Sequence, residues 1–68
     1  MKITYFSDTD TALIEFSETA VAETREISET ILLEMDADGN LVNMTIEHAK
    51  SSGALKAFSY EEVDNKIA

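Results

Sequence analysis

His48 is the only histidine of the chain, and it stands beside Glu47 with Glu61 and Glu62 further on. Such a set could supply a general base or a metal ligand. Catalytic zinc, however, takes three protein ligands, commonly histidines, and a single histidine in a chain without cysteine falls short unless a partner chain adds more. Ser7, Ser17, Ser28, Ser51, Ser52 and Ser59 offer hydroxyls, yet none sits in a G-x-S-x-G elbow or beside a plausible base. Asp36-Ala37-Asp38-Gly39-Asn40 resembles the start of a calcium loop. That loop wants oxygens at positions one, three and five, glycine at six and a bidentate glutamate at twelve. Here glycine comes fourth, and the residues leading to Glu47 alternate as a strand instead of coiling round an ion. Asp36, Asp38 and Gly39 are therefore assigned to a structural turn. Two glycines cannot build a phosphate-cradling loop. No catalytic, cofactor-binding or metal-binding residue is expected.

The elements that would carry these residues are strands. Apolar residues recur with period two, the mark of half-buried strands: Ile3 and Tyr5, then Ala12, Ile14 and Phe16, then Ile31, Leu33 and Met35, then Val42, Met44 and Ile46. Ser7-Asp8-Thr9-Asp10 separates the first two runs as a polar turn. The stretch 22–27 is polar, and its Glu23, Arg25 and Glu26 would guard a sheet edge against stray pairing. Asp38-Gly39 marks a hairpin. A four-residue loop, 36–39, keeps both apolar stripes on one face and pairs Met35 with Asn40, Leu33 with Val42 and Ile31 with Met44. A three-residue loop, 37–39, would turn Val42, Met44 and Ile46 to the wrong side. After Ile46 the period fails. Ser59-Tyr60-Glu61-Glu62 matches a capping box, predicting a short helix over 60–67 with Val63 and Ile67 on one stripe.

Composition sets the wider bounds. Sixty-eight residues, 44% hydrophobic and 28% charged, make one small globular domain with little core. Without cysteine there is no disulfide framework. No apolar run approaches a membrane span and the first residues lack a signal core, so a cytoplasmic location is expected. Fourteen acids against five bases give a net charge of −9. Lys2, Arg25, Lys50, Lys56 and Lys66 are scattered and form no basic face, so neither nucleic acid nor an anionic membrane is an expected partner. A basic protein partner would be attracted; acidity also simply favours solubility.

The order of several short motifs resembles a known family. They are Met1-Lys2-Ile3-Thr4-Tyr5, Asp10-Thr11-Ala12-Leu13-Ile14-Glu15-Phe16-Ser17, Val21-Ala22-Glu23-Thr24-Arg25-Glu26-Ile27-Ser28, Asp36-Ala37-Asp38-Gly39-Asn40-Leu41-Val42 and an Ala49-x-Ser51 end. Together they are similar to the small bacterial proteins of domain of unknown function 2283, over residues 1–52. The resemblance implies a mostly antiparallel β protein, and it implies an interaction or antitoxin-like role because members are often encoded beside toxin-like proteins. Leu13, Thr30, Met35 and Asn43 depart from the family's usual aromatic and glycine positions, Lys50 interrupts its Ala-Ser pair, and residues 53–68 have no clear counterpart.

The sequence thus predicts one α+β, mainly β domain over 1–68: a single antiparallel meander of about five strands with a short C-terminal helix. The expected function is non-enzymatic, a small acidic protein-interaction module that self-associates. The alternative is a small oligomeric hydrolase-like enzyme using His48 and neighbouring acids. Leu13, Leu32 and Leu41 lie opposite the Ile14–Leu33–Met44 stripe in the expected registers, and they are the candidate interaction face of a homodimer. The C-terminal tail folding over that face is the competing arrangement.

Overall fold

The computed structural model describes residues 1–64. Five strands form one sheet: β1 (Lys2–Phe6), β2 (Thr11–Glu15), β3 (Glu23–Glu26), β4 (Ile31–Met35) and β5 (Leu41–Glu47). Every neighbouring pair is antiparallel, and the spatial order is β1-β2-β5-β4-β3. The sheet is therefore not a simple meander. A β1–β2 hairpin docks against a three-stranded β3-β4-β5 unit, and β5 closes the gap by pairing with β2. The physical reason lies in β3. A meander would put Glu-Thr-Arg-Glu in the centre, where its charges would lose water on both sides. At the edge all four of its residues stay exposed, and the seven-residue β5, with its apolar alternation, takes the centre.

The class is all-β among the described residues, which corrects the expected α+β class and C-terminal helix. Residues 57–64 hold no regular element, so the capping-box sequence at Ser59 starts no helix. An eight-residue helix needs an apolar stripe docked on something else. Phe58, Tyr60 and Val63 are instead 61%, 78% and 66% exposed. The end of the expected helix, 65–67, lies outside the described residues. No helix among the described residues is long and apolar enough to cross a membrane.

The β4–β5 hairpin also differs from expectation. Met35 pairs with Leu41, while Leu33 pairs with Met44 and Ile31 with Ile46. The Asp36 N–H donates to the Asn40 carbonyl at 2.9 Å, and the Gly39 N–H donates to the Asp36 carbonyl at 3.1 Å. The loop inside that closing pair is 37–39, the three-residue form. The register then shifts by one, leaving Val42 opposite no residue of β4. A bulge adds one residue to one strand and so reverses the phase of the alternation. That extra residue returns Met44 and Ile46 to the face of Leu33 and Ile31, which removes the objection to the shorter loop.

Gly39 closes this loop with φ +82°, and nothing lies within 4 Å of where its Cβ would stand. Its requirement is conformational, since an L-residue pays in the left-handed region even where there is room. Gly39→Ala is expected to lower stability by about 1–2 kcal/mol in urea unfolding, and Gly39→Asn by less.

The chain is flat and open. Its Cα radius of gyration is 14.3 Å, against ~11 Å for a compact chain of this length. Its accessible surface is 5407 Å², against ~4,200 Å² for a compact monomer of this mass. Among the described residues only Ala12, Val42 and Ala49 are buried.

Candidate functional site

Two features stand out: a polar clasp at one end of the sheet and an apolar face across it. The clasp is built on Asp10, the last residue of the β1–β2 turn, held at φ +54°. Aspartate tolerates that left-handed conformation better than most residues. Its Oδ1 accepts the Tyr5 hydroxyl at 2.7 Å and the Lys50 N–H at 2.9 Å. Its Oδ2 accepts the Ser51 N–H at 3.1 Å and the Ser51 hydroxyl at 2.7 Å, and its carbonyl accepts the Ala49 N–H at 2.8 Å. The Lys50 Nζ stands 4.6 Å from the centre of the Tyr5 ring, a cation–π contact. The turn after β5 is thereby tied to the first hairpin, and Ala49 is fully buried.

Electrostatics follow the geometry. The Lys50 N–H foremost, then the Ser51 and Tyr5 hydroxyls, hold the Asp10 carboxyl far below the usual carboxylate range. Donating to that carboxylate raises the Tyr5 phenol above its ordinary value. Both carboxylate oxygens are thus committed to fixed donors, as in a structural anchor rather than a general base. Asp36 plays a similar part at the other end. Its Oδ1 accepts the Asp38 and Asn40 N–H groups at 3.0 and 2.9 Å, and its Oδ2 accepts the Thr19 hydroxyl at 3.1 Å. These bonds, Asn40's first, lower its pKa.

The other residues singled out by sequence fall as follows. His48 is exposed and sits at φ +53° in the turn after β5, its carbonyl accepting the Ser52 N–H at 2.8 Å. Glu62 accepts the Tyr60 hydroxyl at 3.4 Å, a local contact within the tail. Among the described residues no three His, Asp or Glu side chains gather in a way that could hold a metal ion. Leu13 and Leu32 flank Thr45 in one cross-strand row with Thr4 and Glu26 at its ends. Leu41 stands apart at the bulge, opposite Met35. The structure therefore brings two of the three leucines together, among polar neighbours, and sets the third on the other face with Met35.

Directly opposed residues share a face. One face carries the row Ile3–Ile14–Met44–Leu33–Arg25 and beside it Tyr5–Ala12–Ile46–Ile31. The other carries Lys2–Glu15–Asn43–Glu34–Thr24, with the Asn43 amide donating to Glu34 at 3.2 Å. Apart from Ala12, every apolar member of the first face is only half-buried. Tyr5, Asp10 and Ser51 were not expected to meet. The signal available was the Asp10 turn together with the Ala49-x-Ser51 end, two segments forty residues apart.

Fold and site together define a small all-β protein, a single antiparallel sheet clasped at one end, with one apolar and one polar face. The chain belongs to the family described as protein of unknown function (DUF2283), whose model matches residues 2–50. That span reaches from the start of β1 to the Lys50 N–H of the clasp. No curated protein and no solved structure matches the chain.

Proposed function

We propose that this chain is a non-enzymatic protein-interaction module that self-associates through its sheet. The observation that carries the reading is the uncovered apolar face. A sheet that is apolar on one side is stable when a second layer packs on it, and the described residues supply no helix or second sheet to do so. The commitment of both Asp10 oxygens to structural donors supports a binding role over a hydrolytic one. The acidic residues of the polar face and the loops suit a basic protein partner, and an antitoxin-like capture of such a partner is the finer form of the same reading. Sedimentation at high micromolar concentration in moderate salt tests the self-association. The expected result is a species larger than the 7.5 kDa chain; a clean 7.5 kDa species overturns it.

A further inference from the structure

We propose that two copies of this chain pack face to face through the row Ile3, Ile14, Met44 and Leu33, forming a two-layered sandwich; this rests on the self-association reading above and names its surface. The row runs without interruption across β1, β2, β5 and β4. Nothing regular within the described chain covers it. After the 48–52 turn, Leu55 bonds back to the Ala49 carbonyl at 2.7 Å and is half-buried. Phe58 lines a shallow hollow with Met1 and Ile3 yet stays largely exposed.

Charge selects the occupant. The chain carries −9, but the charged residues at strand positions of this face are Glu23 and Arg25 on the β3 edge, and they neutralise each other at 3.0 Å. Lys2, Glu15, Glu26, Glu34 and Glu47 point to the opposite side by their registers. A second copy can therefore meet this face with no like charges opposed, whereas a basic partner would find its attraction on the other side. Area agrees. The surface of 5407 Å² exceeds that of a compact monomer by about 1,200 Å², shared between this face and the irregular tail. A standard interface removes ~800 Å² from each partner. The closed arrangement is a twofold dimer, its axis lying between two sheets ~10 Å apart and crossed by ~30°. Met44, in the middle of the row on the central strand, then lies close to its own copy.

Sedimentation of five samples tests this: wild type, Met44→Glu, Met44→Lys, an equimolar mixture of the two variants, and Leu32→Glu as the substitution on the opposite face. The expected result is a wild type and a Leu32→Glu variant at twice 7.5 kDa, each Met44 variant at the single-chain mass with its β circular dichroism retained, and the dimer restored on mixing. Dimeric Met44 variants beside a monomeric Leu32→Glu would overturn the proposal and leave self-association standing through the Leu13–Leu32 side. A monomeric wild type would sink both. Should the Met44 variants not fold, peroxide oxidation of the wild type decides. Met44 should oxidise several-fold more slowly in concentrated than in dilute protein, with added free methionine as the constant standard. Equal, concentration-independent rates overturn the proposal.

Discussion

Asp10→Asn should lower the thermal midpoint at pH 7 by more than about 5 °C, a large shift for a surface carboxylate in a domain of this size. The carboxylate receives two donors on each oxygen, from Tyr5, Lys50 and Ser51. An amide has one acceptor oxygen, and its NH₂ would face two of those donors instead of accepting them. Asparagine keeps the left-handed backbone at this position, so the loss reports the hydrogen bonds and not strain. Asp10→Ala removes the bonds and adds the backbone cost, and it should fall further. The pH dependence has a definite sign. The folded pKa lies below the ordinary 3.8, so the unfolded chain takes up a proton that the folded chain refuses. The stabilisation is fully present above about pH 4 and fades as pH falls towards the folded value. Wild-type and Asp10→Asn midpoints should therefore converge in acid. A constant gap between pH 7 and pH 2 would show that the charge of Asp10 contributes nothing to the clasp.

The same clasp shows where sequence reasoning ends. Period-two alternation located four of the five strands because side-chain direction in a strand is a local property, and charge marked β3. The Asp38-Gly39 turn was legible for the same reason, since φ +82° at Gly39 is a demand made within four residues. Strand order is not local. The charges of β3 already argued for an edge, and an edge position for the third strand excludes a simple meander. That constraint moves β5 towards the centre. The hairpin register failed by a different route, because a bulge changes the alternation by one residue and leaves no mark on composition. Ser59 to Glu62 failed because a capping box states only how a helix would begin. With Phe58, Tyr60 and Val63 exposed, nothing holds one there. The Asp10 clasp joins residues forty positions apart, and no window along the chain contains both sides of it. What the candidate site shares with the sequence reading is the apolar stripe itself. What differs is its covering: the expected helix leaned on the sheet and covered part of one face, and among the described residues no helix packs on either face.

Val42 should be the most sensitive apolar position. Of the three buried apolar residues, Ala12 and Ala49 carry only a methyl group, so Val42 is the largest buried side chain among the described residues. It is also the bulge residue, and its carbonyl accepts the Phe16 N–H at 2.8 Å and the Ser17 N–H at 3.4 Å, fixing where β2 ends against β5. Val42→Ala removes two buried carbons and should cost about 1–2 kcal/mol in urea unfolding. In so thin a core this is a large share of the total. Val42→Asp would bury a charge with no partner and should abolish the cooperative transition. Val42→Ala and Met44→Glu separate packing within a chain from packing between chains. If association is linked to folding, the wild-type midpoint rises with protein concentration. Val42 is buried inside one chain, so Val42→Ala should lower the midpoint at every concentration and leave that slope unchanged. Met44 is half-buried on the proposed interface, so Met44→Glu should flatten the slope. A Val42→Ala variant that lost its concentration dependence would mean that the bulge, and not the Ile14–Met44–Leu33 row, shapes the contact between copies.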